Sequence, residues 1–319
     1  MKKKKARTLL FLFAAAAAAA AGGCNGDSGS QDAADTPLDV PADVADMADT
    51  QPDVPQDVPL DVPIEADAPD APADAPADDA TAPEIWSPSP GTTWQWQLTD
   101  YPVNTSFAVA MYDIDLFDAP QETINALHAD GRIVICYFSA GSYEDWREDA
   151  SRFPEAALGS DLDDWEGEKW LDIRNTVVRE IMKDRLDIAM SKECDGVEPD
   201  NVDGHDNDTG FDLSYADQLD YNMFLATEAH ARGLSVGLKN DLDQVEDLVD
   251  HFDWALNEEC FDWDECDTLL PFIEDGKAVF HVEYGGAGLA DTICPRANEL
   301  GFSTLIKNWD LDAWHVACW

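Results

Sequence analysis

The sequence predicts a (β/α)8 TIM barrel, and three features of its pattern support this fold class. Eight short apolar runs, each with the length of a buried parallel strand, follow one another between residues 108 and 306. Segments with helical periodicity separate several of these runs. Polar or acidic residues follow almost every run, at the end of the strand where a barrel carries its functional side chains. This alternation is typical of a parallel sheet covered by helices.

The predicted strands follow directly from the apolar runs. In chain order they are Ala108–Asp115, Ile133–Phe138, Trp170–Ile173, Gly196–Glu198, Ser235–Leu238, Trp254–Leu256, Ala278–Val282 and Thr304–Ile306. Helical spacing is clearest in two of the gaps between them. One predicted helix has apolar residues recurring from Val177 to Ala189, and a second begins near Tyr215 and ends at Gly233.

The first 24 residues (1–24) have the form of an export signal. Lys2 to Lys5 and Arg7 precede an apolar stretch from Thr8 to Ala21, which is short for a membrane span. Small residues then lead to Cys24, an arrangement that resembles a bacterial lipoprotein signal. We therefore expect lipidation at Cys24 and a cell-envelope protein anchored to a membrane, facing the periplasm or the cell exterior. An ordinary cleaved signal and a retained transmembrane helix are the alternatives.

Residues 25–85 have the composition of a linker. Asp, Ala, Pro and Val dominate, with a loose Asp-Val-Pro repeat from Asp39 to Pro63, and neither Lys nor Arg occurs between Arg7 and Arg132. Low hydrophobicity and charge of one sign predict a disordered acidic linker, extended by proline and self-repulsion. The remaining residues, 86–319, are enough to form one domain with a substantial core.

The domain is strongly acidic, which limits its partners. Residues 86–319 contain 50 acidic and 14 basic residues. Such a surface repels nucleic acids and anionic polysaccharides and attracts cations, including a polyamine-like sugar polymer. The alternative is that the charge only confers solubility or salt tolerance. Nothing in the pattern calls for a partner subunit, so we expect a monomer.

Six of the seven cysteines follow Cys24, an even number in an exported domain. The predicted disulfides are Cys260–Cys266 and Cys294–Cys318. For Cys136 and Cys194, which lie in or beside predicted strands, buried thiols and a disulfide both remain open. The cysteines and histidines do not form a zinc-site pattern, so we predict neither a metal nor a cofactor.

Two predicted strands end in acids. Asp200 follows the strand Gly196–Glu198 in a segment crowded with carboxylates, which costs energy unless the site uses them. Glu258 follows the strand Trp254–Leu256. Hydrolysis of a glycosidic bond requires two carboxyl groups that flank the bond, and two barrel strands can supply them. An isolated Asp at position 200 would otherwise be taken as a cap of the next helix.

Eight further motifs together resemble those of one known protein family. They are Trp94–Leu98, Tyr112–Asp115, Cys136–Ser142, Glu144-x-Trp146-Arg147, Gly167–Arg174, Asp195–Gly204, Gly237–Asn240 and Asn257–Phe261. With them, nearly all of residues 86–319 resembles glycoside hydrolase family 114, the endo-α-1,4-polygalactosaminidase-like TIM barrels. The resemblance implies that Asp200, in Glu-Pro-Asp-Asn, and Glu258, in Asn-Glu-x-Cys, are catalytic. Glu259 stands where the family usually has Gln.

We assign roles to the pair from their neighbours. Asn201 can hydrogen-bond the ionised form of Asp200, which suits a nucleophile. We expect Trp254, Phe261 and Trp263 to desolvate Glu258 and raise its pKa, as a general acid requires. The reverse assignment is the alternative.

Other polar and aromatic residues at strand ends are candidate substrate-binding residues. The acids that could bind hydroxyls or an ammonium group are Asp113, Asp115, Glu144, Asp172, Glu198 and Glu283, and Glu198 could instead be a structural hydrogen-bonding group. The aromatics that could stack on sugars are Tyr112, Tyr137, Tyr284 and Trp309, for which core packing is the alternative. We expect Asn201 to contribute beside Asp200. Lys239 and Lys307 should neutralise the carboxylates or form an internal ion pair.

The leading hypothesis is therefore a surface-tethered endo-glycosidase acting on an α-1,4-linked, partly deacetylated galactosamine polymer. A glycosidase acting on another polysaccharide is the first alternative. The second is a non-catalytic sugar-binding lipoprotein, against which the presence of both Asp200 and Glu258 argues.

Overall fold

A computed structural model describes residues 85–163 and 165–319. The predictions for the signal, for Cys24 and for the linker lie outside the described residues, and the domain boundary at residue 86 stays a prediction. Within the described part of the chain, no helix has the length and apolar character needed to cross a membrane.

Two sheets and seven helices make up the described residues. The strands are β1 (Trp94–Gln97), β2 (Met111–Asp115), β3 (Ile133–Ser139), β4 (Ser142–Glu144), β5 (Leu158–Asp161), β6 (Glu168–Leu171), β7 (Gly196–Asp200), β8 (Ser235–Lys239), β9 (Trp254–Glu258), β10 (Val279–Tyr284), β11 (Ser303–Lys307) and β12 (His315–Ala317). The helices are α1 (Gln121–Ala129), α2 (Thr176–Ser191), α3 (Tyr215–Ala231), α4 (Val245–Leu248), α5 (Cys260–Trp263), α6 (Leu270–Glu274) and α7 (Ala290–Leu300). Single 3-10 turns lie at Ala150–Arg152, Glu155–Ala157, Gly204–Asp206, Leu242–Gln244, Cys266–Leu269 and Ala287–Leu289.

The larger sheet curls into the predicted barrel. Its strand order is β1-β2-β3-β7-β8-β9-β10-β11-β12, in which every neighbouring pair is parallel except β11 and β12. The first strand of the sheet lies close to its eighth. The Trp94 indole, on β1, donates a hydrogen bond to the carbonyl of Ser303, on β11, at 2.9 Å. The Trp94 ring also lies 4.9 Å from the Phe280 ring, on β10. These contacts confirm the (β/α)8 fold class.

One predicted barrel strand is wrong. Trp170–Ile173 overlaps β6, which belongs to a separate three-stranded antiparallel sheet with the order β4-β6-β5. The missing barrel strand is β1, whose Trp-Gln-Trp-Gln sequence does not read as a continuous apolar run. Gln95 and Gln97 are nevertheless buried. Their burial costs little, because both side chains donate hydrogen bonds to backbone carbonyls. An apolar run of four residues predicts burial, whereas long-range pairing decides sheet membership.

Both predicted helices are confirmed and lie against the outside of the barrel. The side chain of Asn175 caps α2 by accepting a hydrogen bond from the Val177 amide, and a capping box at Ser214 begins α3. Ile181 on α2 and Leu225 on α3 are almost fully buried in the layer between helices and sheet. Each such side chain contributes about 1.5–3 kcal/mol through burial.

Three disulfides connect the elements. Cys260–Cys266 and Cys294–Cys318 confirm the predicted pairs. Cys136 and Cys194, for which the sequence left two possibilities, form the third, which joins β3 to the residues just before β7. This link spans 58 residues of sequence, so on the chain-entropy account it stabilises the fold by about 4 kcal/mol.

Candidate active site

Three neighbouring barrel strands deliver the central residues of the site. β7 ends at Asp200, β8 at Lys239 and β9 at Glu258. Because the three strands are parallel and adjacent, their carboxyl ends meet at the same edge of the sheet. The structure therefore brings together the two acids that were predicted to be catalytic, with a lysine between them.

The residue that follows each of these strands has a left-handed backbone. Asn201, Asn240 and Glu259 have φ values of 60°, 50° and 60°. Such conformations are uncommon for residues other than glycine, and they concentrate at functional sites.

The chain after β3 packs closely against the Asp200 loop at Gly141, where a Cβ atom would lie 1.6 Å from the carbonyl oxygen of Asn201. Only glycine fits there, and it lets the chain after β3 support the Asp200 loop.

Lys239 is the electrostatic centre of the site. Its Nζ lies 2.8 Å from Asp200 Oδ1, 3.0 Å from Glu258 Oε2 and 3.6 Å from Glu198 Oε1. Burial by itself would lower the pKa of Lys239, but the carboxylates of Asp200, Glu258 and Glu198 outweigh it and hold the pKa well above its ordinary value. Lys239 is therefore charged, and it neutralises the carboxylate cluster as the sequence analysis expected.

The shared lysine limits the separation of the two acids. Since both oxygens lie within 3.0 Å of one nitrogen, they are no more than about 6 Å apart. The side chains of Asp200 and Glu258 are 15% and 23% exposed, so both reach solvent at the mouth of the barrel. A substrate that enters the mouth can meet both carboxylates.

Asp200 is surrounded by hydrogen-bond donors. Tyr137 Oη donates to Oδ2 at 2.9 Å, and the Asn201 amide donates to Oδ1 at 2.7 Å. Together with Lys239, these donors fix the position of the carboxylate. Tyr137 and Asn201, both candidate residues from the sequence, thus lie in the site and hold the Asp200 carboxylate.

Glu258 also has polar neighbours. Tyr284 Oη donates to its Oε1, and Asn240 Nδ2 donates to its Oε2 at 3.3 Å. Asn240 Oδ1 in turn accepts from the Glu258 amide at 3.0 Å, which fixes the backbone of this residue. Asn240 was not among the predicted site residues, although its Gly-Leu-Lys-Asn motif carried part of the family resemblance.

The aromatic surroundings expected for Glu258 are not what the structure shows. Trp254 lies deep in the barrel, where its indole donates to Ser235 Oγ, and Trp263 is exposed. The Phe261 ring packs against His281, at 5.3 Å. Proximity in sequence misled the prediction here, because Trp254 shares the inward face of β9 with Glu258 but lies four residues, about 13 Å, further down the strand, and the chain turns away after β9.

Asp113 and Glu198 form a buried acid pair beneath Asp200 and Glu258. In the described part of the chain, no amide or hydroxyl group donates to their carboxyl oxygens; the two carboxyl groups interact with each other, and Lys239 Nζ lies 3.6 Å from Glu198 Oε1. Burial raises the pKa of Asp113 to about 7 and that of Glu198 well above its ordinary value. The pair therefore retains a proton near neutral pH. Neither side chain reaches solvent, so both support Lys239 from below and do not line the mouth.

Asp115 and Glu144 belong to an ionic network. Arg147 Nη2 lies 2.6 Å from Asp115 Oδ2, and Arg147 Nε lies 2.8 Å from Glu144 Oε1. Arg185 adds a contact of 3.4 Å to Glu144 Oε2. All four side chains are buried, so the two acids hold the barrel to the β4–β6 sheet and are occupied by arginine.

Tyr112 and Asp172 lie apart from the catalytic cluster. Tyr112 points outward into the helix-facing layer, where its hydroxyl donates to the Phe107 carbonyl at 2.9 Å. Asp172 lies near the barrel surface and pairs with Arg174 at 2.7 Å. The core-packing alternative applies to Tyr112, and Asp172 is an ion-pair partner.

Glu283 and Lys307 also have structural partners. Glu283 is buried, and it accepts from the Phe261 amide at 2.9 Å. Lys307 donates to the carbonyls of Asp312 and Trp314, and burial lowers its pKa to about 7. Lys307 thus does not neutralise the catalytic carboxylates, contrary to the expectation from the sequence.

Two serines and Glu168 were missed by the sequence analysis. Asn201 Nδ2 donates to Ser139 Oγ at 2.9 Å, and Ser142 Oγ donates to Glu168 Oε2 at 2.7 Å. Burial raises the pKa of Glu168 to about 7. These contacts join the loop after β3 to the small sheet. The Ser-Ala-Gly-Ser sequence by itself does not indicate a functional site, because such sequences are common in loops.

Among the described residues, the one group of ligand-type side chains close enough to hold a metal is Cys260, Cys266 and His281. Its two sulfurs are joined in a disulfide and offer no thiolate.

A (β/α)8 barrel with two carboxylates held by one lysine at its mouth has the architecture of a glycoside hydrolase. Comparison with known families defines it further. The chain belongs to glycoside-hydrolase family GH114, whose model matches residues 75–319. No curated protein matches the chain.

Solved structures agree with this assignment. The chain is 48% identical to Ega3 of Aspergillus fumigatus, solved in complex with galactosamine; the match covers 73% of this chain and 97% of that chain, with a TM-score of 0.71. The glycoside hydrolase domain of PelA from Pseudomonas aeruginosa is 11% identical over 71% of this chain and 98% of that chain, with a TM-score of 0.58. The second likeness shows a shared fold alone.

Proposed function

We propose that this protein is an endo-acting hydrolase that cleaves α-1,4-linked, galactosamine-containing polysaccharide, with Asp200 as nucleophile and Glu258 as general acid and base. The observation that carries the proposal is the placement of Asp200 and Glu258 on either side of Lys239 at the barrel mouth. Membership of family GH114 and similarity to a protein solved with galactosamine support the choice of substrate class.

Both acids accept hydrogen bonds and contact Lys239, so we keep the roles that the sequence motifs suggest. Asp200 attacks the anomeric carbon, while Glu258 gives its proton to the glycosidic oxygen and the bond to the leaving sugar breaks. Water then releases the sugar from Asp200, with Glu258 taking the proton. We assign the retaining route, for which the carboxyl groups stand about 5–5.5 Å apart; the oxygens of Asp200 and Glu258 that contact Lys239, no more than about 6 Å apart, are compatible with it.

Lys239 is suited to this two-step reaction. When the glycosyl–enzyme forms, the negative charge of Asp200 is consumed in the ester and a negative charge appears on Glu258. Lys239 contacts both carboxylates, so it can compensate the charge in either state without moving. A group that is already in place costs little reorganisation during the reaction.

The acidic surface supports a cationic polymer as substrate. A deacetylated galactosamine polymer carries ammonium groups, and a domain with 50 acidic and 14 basic residues attracts it over a long range. Salt screens this attraction, because the Debye length falls from about 10 Å at 0.1 M to roughly 3 Å at 1 M.

The test is hydrolysis of a panel of polysaccharides by the purified protein, at low and high salt. We expect new reducing ends from partly deacetylated α-1,4-galactosamine polymer, with apparent affinity that falls as salt rises. Fully acetylated polymer is the matched control, and its affinity should change little with salt. Turnover confined to a different polymer would support the alternative glycosidase, and binding without turnover would support a sugar-binding protein. Either result would overturn the proposal.

We further propose that the protein acts at the cell surface through a lipid on Cys24. The support is the signal-like sequence that ends at this cysteine. Cys24→Ser should move the protein from the membrane fraction to the soluble fraction, whereas Ser28→Ala, a small change close by, should leave it in the membrane. A soluble wild-type protein would exclude the anchor.

A further inference from the structure

Three aromatic side chains form a continuous row that begins at the catalytic acid. Tyr284 donates its hydroxyl hydrogen to Glu258. The Tyr284 ring lies 4.7 Å from the Trp309 ring, and Trp309 lies 6.4 Å from Trp165 with the two ring planes inclined by 21°. We call Tyr284, Trp309 and Trp165 the aromatic row.

The outer part of the aromatic row is open to solvent. Trp309 is 51% exposed and Trp165 is 45% exposed, whereas Trp94, Trp96 and Trp254 are almost completely buried. Leaving two neighbouring indoles half exposed forfeits the burial that a tryptophan usually contributes. A flat apolar surface of this kind, continuous with a catalytic carboxylate, is suited to a ligand that has flat apolar faces of its own.

The aromatic row bridges the barrel mouth. Trp309 follows β11, the eighth barrel strand, and Trp165 lies in the turn between β5 and β6. The β4–β6 sheet is inserted between β3 and β7, the third and fourth barrel strands, which lie opposite the eighth in a closed barrel of eight. The insertion therefore reaches across the mouth to meet Trp309.

The order of strands gives the row a direction. Passing round the mouth, β7 carries Asp200, β8 Lys239, β9 Glu258 and β10 Tyr284, and Trp309 follows β11. Tyr284 and Trp309 thus continue round the mouth beyond the acid, away from the nucleophile, and Trp165 meets Trp309 from the insertion that precedes β7. In the proposed reaction Asp200 bonds to the sugar that is retained, and the proton of Glu258 goes to the oxygen of the sugar that leaves.

We propose that the aromatic row binds the sugar units on the leaving-group side of the scissile bond. This inference rests on the proposed function and adds to it the direction in which the polymer lies across the mouth. The carbon-bound hydrogens of a pyranose stack on indole faces, and an ammonium group gains a cation–π contact there. Both interactions match a galactosamine polymer.

The experiment uses a galactosamine oligomer with a fluorescent label at its reducing end, which lies on the leaving-group side. The position of cleavage is read from the length of the labelled product. In Trp309→Ala, binding modes that place several sugars on the aromatic row lose their advantage, so the labelled product should become shorter. The kcat/KM for long oligomers should fall roughly ten-fold, mainly through KM, and Trp165→Ala should act in the same direction but less strongly.

Trp319→Ala is the matched control, because Trp319 is 48% exposed but follows β12, which runs antiparallel to β11 toward the other end of the barrel. Its product lengths should equal those of the wild type. Trp309→Phe should restore part of the wild-type pattern, which separates stacking from a general loss of structure, and the melting temperature of each variant checks the fold.

Three results would contradict the inference. Longer labelled products from Trp309→Ala would place the aromatic row on the side of the retained sugar. A product pattern identical to that of Trp319→Ala would show that the row binds no sugar, while leaving the proposed function intact. A ten-fold loss of kcat with unchanged product lengths would indicate that Trp309 acts only through Tyr284 and Glu258. By contrast, a wild-type protein without activity on any oligomer would refute the proposed function itself.

Discussion

The two ends of the barrel interior are built from the same inward-facing positions and have opposite chemistry. Near the amino ends of the strands, Trp94, Trp254 and Phe280 fill the interior with ring contacts of 4.9 and 5.4 Å. Near the carboxyl ends, the same interior holds the charged side chains of Asp200, Lys239 and related acids. The lower half stabilises the fold, and the upper half performs the chemistry.

The difference shows what each half requires of the backbone. In the lower half, Gly237 allows close packing, because a Cβ atom there would lie 2.2 Å from the Trp254 ring. In the upper half, the residues after β7, β8 and β9 have strained left-handed conformations. Each such residue costs roughly 1–3 kcal/mol. Apolar packing below offsets this cost and keeps the charged groups in place.

The largest expected effect comes from the upper half. Asp200→Asn and Glu258→Gln should each lower kcat by about a thousand-fold or more, because each removes a group that bonds to carbon or transfers a proton. The melting temperature should fall, because buried Lys239 loses one of the carboxylates that offset its desolvation, so kcat is compared for the folded fraction. Steady-state hydrolysis of the polymer measures the effect.

Asp172→Asn is the control for this pair, since Asp172 pairs with Arg174 away from the site. It should retain most of the activity. Near-normal turnover by either Asp200→Asn or Glu258→Gln would remove that residue from the catalytic pair.

A substitution in the lower half of the barrel should have the opposite effect, a loss of stability with activity retained. Phe280→Ala should lower the free energy of unfolding by about 3–5 kcal/mol, because it leaves a cavity against Trp94 and Trp254. The kcat of the folded fraction should stay close to that of the wild type. Denaturant unfolding and activity well below the melting temperature provide the two measurements. Loss of kcat in a fully folded variant would show that the halves are more closely coupled than their contacts indicate.

The smallest effect concerns a buried acid outside the catalytic cluster. Asp241 has a fully buried side chain that accepts a hydrogen bond from Asn222 at 2.7 Å, and burial raises its pKa to about 8. The unfolded chain releases this proton near pH 4, so the folded protein loses stability as pH rises from about 4 to about 8.

Asp241→Asn should therefore raise the melting temperature at pH 8 and change it much less at pH 4, where the folded wild-type side chain is neutral and the unfolded one is only about half ionised. Thermal unfolding at the two pH values measures the difference. Asp253→Asn is a suitable comparison because Asp253 is partly exposed beside His230. An equal change at both pH values would mean that packing, and not the proton, distinguishes the Asp241 variant.

Several parts of the fold and site were predictable for local reasons. Buried parallel strands give uninterrupted apolar runs, so seven of the eight predicted strands lie in the barrel. The polar residues that follow Val197 and Leu256 could be read as site residues because parallel strands end at one edge. The predicted aromatic environment of Glu258 failed because Trp254 lies at the opposite end of β9 and Trp263 lies exposed on the helix after it.

The sequence by itself determined the barrel class, the acidic character of the domain, two of the disulfides and the placement of Asp200 and Glu258 at strand ends. These properties depend on residue type and on spacing along the chain. Only the tertiary structure decided that Lys239 joins the two acids, that Asp113 and Glu198 share a buried site, and that Trp165 crosses the mouth to reach Trp309. These contacts join residues that are far apart in the chain. Their energies depend on short distances and on burial, and both arise only when the sheet closes.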